Sequence, residues 1–464
     1  MPGKGLPPAL IESLRGVAGF EEMSFCRVHE ESENFTSVRL NPSKLAAVAV
    51  ESALQNWLQL QEKIPWCEWG RWLPERPSFI MDPCWHAGAY YVQEASSMFL
   101  WHALKQLFPQ PGTRPLRILD LCAAPGGKST LLAAYFQQDC IVANEAIRSR
   151  VNVLTENITR WGATNLFITN NDARDFERLR GFFDLIVVDA PCSGSGLFRR
   201  DPEAVTEWSP QHVKLCSERQ KRILHDVLPA LAENGKLIYS TCSYSKTEDE
   251  DILDWLVQEE GLGSLPLTIN NEWGIVPSFS DETEASGYRF FPDKVKGEGF
   301  FVGCLEKRLP AFEEEARLKR PKKWGGKGQE PLKNWLKDPE KSLVFERSDH
   351  LVAVPVHLEN EYLRILEATK LWKGGILLGK MAGDDLVPDH EFALSGLASE
   401  SVPVVEISLP LALQYLKRES FDPGPLPKGW ALVAYEGLKL GWIKVLGNRI
   451  NNYYPASWRI IRGS

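Results

Sequence analysis

At about 100–200 residues per domain, a chain of 464 residues has room for two to four domains, and 44% hydrophobic with 25% charged residues is a globular composition. Several classes are excluded: no run reaches the roughly 20 apolar residues that cross a bilayer, nine scattered cysteines without a Cys-x-x-Cys pair form neither a disulfide framework nor a zinc ribbon, and no metal centre is expected. Met1-Pro-Gly-Lys-Gly lacks the apolar run of a leader, which predicts a cytoplasmic protein, and the net charge of −8 argues against general nucleic-acid binding without excluding a local basic groove.

The first 90 or so residues read as a mixed α/β unit. From 117 to 306, short apolar runs alternate with amphipathic segments. Arg117-Ile-Leu-Asp-Leu-Cys, Cys140-Ile-Val-Ala-Asn-Glu, Leu166-Phe-Ile-Thr, Phe183-Asp-Leu-Ile-Val-Val-Asp and Lys236-Leu-Ile-Tyr-Ser-Thr read as strands. They are continuously apolar, as parallel strands buried on both faces are. Between the last two, Ser209-Pro210 is an N-cap followed by proline, and Val213, Cys216, Gln220, Ile223 and Val227 form a helical stripe. Thr247 with Glu250 reads as a capping box ahead of Ile252, Trp255 and Leu256. Repeated strand–helix units predict a doubly wound α/β sheet with its ligand at the carboxyl ends of the strands. Residues 307–345, with Glu313-Glu-Glu, Lys319-Arg-Pro-Lys-Lys and Gly325-Gly-Lys-Gly, read as a charged linker or exposed arm; beyond it Trp430–Tyr435 and Leu440–Val445 form two strand-like runs about a Glu436-Gly437 turn.

The first strand–helix turn, Asp120-Leu-Cys-Ala-Ala-Pro-Gly-Gly-Lys128, stands where such a fold binds a nucleotide-type cofactor, yet it matches neither the three-glycine dinucleotide fingerprint nor a phosphate-cradling loop. Its adjacent glycines let backbone approach a ligand. Glu145, ending the second strand, can accept hydrogen bonds from both hydroxyls of a ribose, and Asp172, after the third, falls near an adenine edge. Acids in that order suit a cofactor with an exposed ribose and a positive sulfonium. The competing reading makes the glycines a tight turn and the acids helix caps.

Two cysteines differ from the rest. Cys216 lies on the apolar stripe and Cys122 in the loop, where packing is the default for a free thiol. Cys192, in Asp189-Ala-Pro-Cys-Ser-Gly, and Cys242, in Ser240-Thr-Cys-Ser, each follow a strand end within a polar turn. A thiolate there can add to carbon 6 of a cytosine, making carbon 5 nucleophilic toward a sulfonium methyl, and can leave again once the carbon-5 proton is removed. A carboxylate such as Asp189 can hold the amino edge of the base, or N3 if protonated.

Asp120–Lys128, Asp189–Gly194 and Ser240–Cys242, together with Arg39-Leu-Asn-Pro, Tyr91-Val-Gln-Glu-Ala-Ser-Ser, and Phe291-Pro-Asp followed by Gly299-Phe-Phe, resemble the Nop2/Sun family of RNA cytosine-5 methyltransferases over roughly residues 35–306. The resemblance implies a Rossmann-like core that binds S-adenosylmethionine. Cys242 is then the nucleophile and Cys192 assists release of product, with Asp189 and Lys128 at the base. Cys122, Ala123, Ala124, Pro125, Gly126, Gly127, Lys128, Glu145, Arg150, Asp172 and Asp189 are implied cofactor contacts. In DNA cytosine-5 methyltransferases the Pro-Cys cysteine attacks instead, and spacing alone does not separate the two assignments.

Gly429–Lys444 and Asn448–Pro455 resemble the PUA-like tail of RsmF-type bacterial enzymes, which act on 16S ribosomal RNA of the small subunit. From 429 to 464 five basic residues face one acid, interleaved with Trp442, Tyr453, Tyr454 and Trp458, a composition that pins phosphates and stacks on unpaired bases, or else fills the core of a small β domain. The expected organisation is an RNA-binding extension at 1–92, a methyltransferase core at 93–307, a linker at 308–345 and a PUA-like region at 346–464, acting as a monomer away from membranes. Transfer RNA is the alternative substrate, and a non-catalytic ribosome-assembly factor the alternative class; retention of both cysteines argues against the latter.

Overall fold

A computed structural model describes residues 5–31, 35–45, 48–109, 114–310, 323, 332–383, 385–447 and 449–461. The short N-terminal helices Pro8–Leu14 and Glu22–Glu31 precede a four-stranded sheet of β1 (Thr36–Leu40), β2 (Lys63–Ile64), β3 (Cys67–Leu73) and β4 (Tyr90–Val92), in the order β2-β3-β1-β4. The central sheet holds β5 (Arg117–Asp120), β6 (Cys140–Asn144), β7 (Leu166–Thr169), β8 (Phe183–Asp189) and β9 (Leu231–Thr241). These pair in parallel in the order β9-β8-β5-β6-β7. The five expected strands are all present, and the fifth starts five residues earlier than the apolar run.

Their continuous apolar character reflects burial on both faces. Along β5 and β6, Ile118, Ile141 and Ala143 face one core with the helices Phe99–Leu107, Gly127–Tyr135 and Arg148–Trp161. Leu119, Cys140 and Val142 face the other, with Leu224 and Val227 of the helix Pro210–Val227 and Ile252 and Leu256 of Glu250–Gln258. Strand order reverses between β5 and β8, and this switch point opens a crevice at the carboxyl ends of the strands. Beyond β9 the sheet continues antiparallel through β13 (Phe300–Lys307), β12 (Ser286–Phe290) and β11 (Val276–Phe279), with β10 (Leu262–Ser264) also on β13.

Ser209 caps its helix as expected, accepting from the His212 backbone N–H at 3.1 Å. The capping box does not form. The helix begins at Glu250 without a side-chain cap, and the Glu250 carboxylate instead accepts from the buried Arg289 guanidinium, Nε to Oε1 at 2.6 Å. A buried cation outcompetes an end-of-helix N–H for a carboxylate because the hydrogen bond is charge-assisted.

The C-terminal part departs further from the sequence reading. Glu313-Glu-Glu, Lys319–Lys322 and Gly325–Gly328 lie outside the described residues. The end of the expected linker is ordered: Leu332 and Leu336 are buried, and β14 (Ser342–Arg347) already belongs to a sheet with β15 (His350–Pro355), β17 (Ile376–Ala382) and β18 (Asp385–Pro388). The helix Glu359–Ala368 buries Tyr362, Leu363 and Ile365 in the second core of the central sheet, and β16 (Leu371–Gly374) pairs antiparallel with β7 as its outer strand. The last sheet holds β19 (Val404–Glu406), β20 (Gly429–Tyr435), β21 (Leu438–Val445) and β22 (Ile450–Asn452). Its hairpin turns at Glu436-Gly437, both at positive φ. Trp442 and Tyr454 are fully buried, so they are core; Tyr453 is 37% exposed. This sheet shares a core with the N-terminal one: Val433, Leu440 and Tyr454 pack with Val38, Leu40 and Ala87.

Candidate active site

The loop after β5 turns at Gly126, the N-cap of Gly127–Tyr135, with φ of +113°, a conformation closed to most side chains. Two residues fix it from outside. Arg160's neighbour on the helix face, Asn157, donates to the Pro125 carbonyl at 2.8 Å. Arg39, from β1, is fully buried, donates to Gln93 Oε1 at 2.8 Å and Thr130 Oγ1 at 2.6 Å, and stacks on Trp161 at 4.5 Å. The Arg-Leu-Asn-Pro element thus anchors the N-terminal sheet to the helix that starts the cofactor loop.

Asn144, at the end of β6, donates to the Leu121 and Asn171 carbonyls at 3.1 and 3.0 Å, and its Oδ1 accepts from the Asn171 N–H at 3.0 Å. One amide therefore ties together the ends of β5, β6 and β7. Just beyond, Glu145 Oε1 accepts from the Ile147 N–H at 2.8 Å, while its buried Oε2 has no hydrogen bond among the described residues and lies 3.5 Å from Arg150 Nη1. Arg150 also donates to the Ala124 carbonyl at 2.7 Å. Asp172 is a helix cap, in a reciprocal box with Asp175 and 3.1 Å from Arg174. Asp120 is wholly buried, accepts from Ser129 Oγ at 2.6 Å, and is pushed up to about 7 by that burial.

Across the switch point, Asp189 and Ser240 sit in register on neighbouring strands, and Ser240 Oγ donates to Asp189 Oδ1 at 2.8 Å. Asp189 Oδ2 lies 2.8 Å from Lys128 Nζ, which also faces the Phe300 ring at 5.2 Å. Because β8 and β9 are adjacent, their following turns bring Cys192 Sγ to 3.1 Å from Cys242 Sγ. The hydrogen bond to Cys242 and burial push the Cys192 thiol well above its ordinary range. At that distance either thiol can donate to the other, so the two sulfurs share one hydrogen bond.

The two turns share one buried carboxylate. Glu248 accepts from the Ser193 N–H at 2.8 Å, Ser193 Oγ at 2.5 Å, Ser243 Oγ at 2.7 Å and Gln220 Nε2 at 3.3 Å. Burial raises its own carboxyl affinity for a proton. Gly196 completes the clasp: its N–H donates to the Cys242 carbonyl at 2.8 Å, and a Cβ there would stand 2.8 Å from that same oxygen.

A cleft of about 400 Å³ gathers Cys122, Ala123, Ala124, Pro125, Gly127, Lys128, Arg150, Asp189 and Cys242 with Gly299 and Phe300. Cys192 lies behind Cys242; Glu145 reaches the cleft through Arg150, 3.5 Å from it, Asp172 is outside its lining, and Gly126 turns toward Leu154. Sequence reading missed Glu248, Asn144 and the role of Arg39. Glu248 sits in an acidic run, ordinarily a solvated face, and its nearness to Cys242 in sequence was the one available signal.

The residues present fit S-adenosylmethionine: a buried carboxylate oxygen of Glu145 lacks a partner a ribose hydroxyl would supply, beside a close-approach glycine turn and the acids Asp120 and Asp189. Fold and site together define a Rossmann-like S-adenosylmethionine-dependent methyltransferase. Family models described as 16S rRNA methyltransferase RsmB/F, N-terminal domain of 16S rRNA methyltransferase RsmF, and methyltransferase RsmF PUA domain match residues 105–306, 6–95 and 402–460. Ribosomal RNA small subunit methyltransferase F of Serratia proteamaculans is 30% identical over 97% of this chain and 96% of that one. Its counterpart from Shewanella loihica is 30% identical over 90% and 88%. A solved methyltransferase homologue from Pyrococcus horikoshii shares 26% identity at a TM-score of 0.52, covering 65% of this chain and all of its own. The chain belongs to the RsmB/F family, RNA cytosine-5 methyltransferases that depend on S-adenosylmethionine.

Proposed function

We propose that the protein methylates carbon 5 of a cytosine in 16S ribosomal RNA through a covalent bond between Cys242 and carbon 6, with Cys192 assisting release. The observation that carries this reading is the pair of thiols 3.1 Å apart at the ends of adjacent strands, one lining the cleft and the other behind it. Bound S-adenosylmethionine supplies an electrophilic methyl group on a sulfonium. Glu145 takes its ribose, Asp172 its adenine side, and the 122–128 backbone with Arg150 the rest.

The Cys242 thiolate adds to carbon 6, and electron density moves through carbon 5 toward N3. Asp189, held by Ser240 and Lys128, accepts from the exocyclic amino group, while the Lys128 ammonium faces the charge that builds on the ring. After carbon 5 takes the methyl group, a solvent base entering the open cleft removes the carbon-5 proton, and that electron pair re-forms the C5–C6 double bond and expels Cys242 as thiolate. Cys192, 3.1 Å from that sulfur, is placed to donate its S–H to it and stabilise the departing charge.

The N-terminal unit (1–92) and the PUA-like region (346–464) are read as RNA-binding, flanking a core at 93–307. The enzyme acts as a cytoplasmic monomer; no described helix is long and apolar enough to cross a membrane.

The test combines wild type, Cys242→Ala and Cys192→Ala with labelled S-adenosylmethionine and ribosomal or transfer RNA, reading product by bisulfite sequencing and adducts on denaturing gels. The expected outcome is a dead Cys242→Ala and a Cys192→Ala that traps RNA covalently, with the modified position in 16S RNA. Methylation by Cys242→Ala would overturn the assignment, and modification of transfer RNA alone would overturn the substrate.

A further inference from the structure

A second cavity, of about 480 Å³, lies at the seam between the N-terminal sheet and the helix Arg148–Trp161. Tyr91, Val92 and Pro125 line both it and the catalytic cleft, so the two are neighbours across one tyrosine and the cofactor loop. In a chain of net charge −8, no carboxylate among the described residues lines this cavity, whereas Arg76 and Arg160 do. Aromatic rings form much of its wall, among them Phe79, Trp85 and Trp161.

Arg160 is 8% exposed, lies 4.0 Å from the Trp85 ring and 5.0 Å from the Trp458 ring, and its buried Nε has no hydrogen-bond partner among the described residues. Its Nη1 donates to Asn157 Oδ1 at 2.9 Å. Arg76, by contrast, is exposed at the mouth, over Phe79 at 5.4 Å. The chemistry offered is an aromatic wall, the Asn157 amide and the buried Arg160 guanidinium within it, and an exposed cation at its rim. An unstacked nucleobase with its phosphate matches all three: rings stack, edges pair with amide and guanidinium, and the phosphate meets Arg76.

We infer that this cavity holds a nucleotide of the substrate RNA that flanks the target cytosine, splayed out of its stack while the target enters the catalytic cleft. The inference rests on the proposed RNA reaction and adds to it a second point of recognition. Taking two nucleotides out of one strand on either side of Tyr91 would fix which cytosine reaches Cys242.

The test fills the cavity with Ser78→Trp, at an exposed lining position, and separately reverses its rim charge with Arg76→Glu. Fluorescein-labelled RNA spanning the modified site is scanned with single abasic positions, reading affinity by anisotropy and KM by methylation, with S-adenosylmethionine affinity by calorimetry as the control for folding. In wild type, one abasic position beside the target should weaken binding about tenfold, as loss of a stacked base does. Ser78→Trp should weaken intact RNA about as much and abolish the penalty at that position alone, leaving cofactor affinity unchanged; Arg76→Glu should weaken binding at every position equally. A flat abasic scan in wild type, or a scan unchanged in Ser78→Trp, overturns the pocket while methylation by wild type leaves the reaction standing. Protection of Trp85 fluorescence by free mononucleotide with a flat scan would assign the cavity to a free nucleotide and overturn it as an RNA site. Absence of methylation by wild type, with binding intact, would strike the reaction itself rather than the pocket, whose scan is read by binding.

Discussion

The catalytic edge of the central sheet and the C-terminal third of the chain are built on opposite principles. At the edge, function is local: Asp189 to Cys192 and Ser240 to Cys242 each run a few residues past a strand end, and parallel pairing of β8 with β9 alone brings them together. In the C-terminal third, elements close in sequence scatter over the molecule. The helix Glu359–Ala368 and β16 complete the methyltransferase sheet, β14, β15, β17 and β18 form a sheet of their own, and the last sheet packs on the N-terminal one. A motif marks chemistry because chemistry needs few residues in one place; a core is shared among distant segments and leaves no compact signature.

The largest expected effect tests whether the C-terminal third is separable at all. Removing 346–464 strips Val354, Leu358, Tyr362, Leu363, Ile365 and Leu371 from the second core of the central sheet. At about 1.5–3 kcal/mol for each fully buried large side chain, the six together contribute about 9–18 kcal/mol, as much as the whole stability of a typical domain, about 5–15 kcal/mol. The truncated protein should be insoluble or lack a cooperative thermal transition. A soluble product that melts cooperatively and binds S-adenosylmethionine would show that the third is a detachable module after all.

Next comes the clasp that makes the catalytic edge rigid. Glu248→Ala leaves the Ser193 N–H, two serine hydroxyls and the Gln220 amide without their acceptor. Buried donors left unpaired cost about 1–3 kcal/mol each, and a displacement of about 1 Å at reacting groups costs about a hundredfold in rate. We expect kcat to fall about a hundredfold with KM for S-adenosylmethionine little changed, and Glu248→Gln, which keeps one acceptor oxygen, to recover part of it. Equal falls in kcat and in cofactor affinity would mean that Glu248 supports the whole fold rather than the two cysteine turns.

This contrast also accounts for what the sequence could and could not say. The five parallel strands, the Ser209 cap, the burial of Cys216 and the Glu436-Gly437 turn were legible because each depends on residues within a few positions. Placing Cys192 and Cys242 after strand ends was legible too, but their meeting depends on β8 and β9 being neighbours, which the pairing of the sheet decides. Glu248 was not legible, because its partners lie 5, 28 and 55 positions away and an acidic run gives no sign of being buried. The Thr247–Glu250 capping box failed for the same reason: Arg289, 39 residues on, takes the Glu250 carboxylate. Trp442 and Tyr454 read in sequence either as stacking platforms or as core of a small β domain, and two other sheets decide for core: Trp442 packs with Ala353 and Leu378, Tyr454 with Val38 and Leu40.

The smallest effect probes the one acid whose role rests on a missing partner. Among the described residues Glu145 Oε2 is buried without a hydrogen bond, and Arg150 at 3.5 Å holds it by charge alone, so a ribose hydroxyl would gain a carboxylate acceptor without displacing a bond seen there. Hydrogen bonds to charged groups contribute about 1.5–3 kcal/mol, so Glu145→Ala should weaken S-adenosylmethionine binding by about ten- to a hundredfold in calorimetry. Its other oxygen accepts from the Ile147 N–H at the entry to the helix Arg148–Trp161, which makes some loss of thermal stability unavoidable. Glu145→Gln separates the two roles, since it retains an acceptor for Ile147 but cannot take two hydroxyls. A Gln variant as stable as wild type and still weakened for the cofactor places the ribose on Glu145; one with wild-type affinity returns Glu145 to the part Asp172 plays in this structure, the cap of a helix.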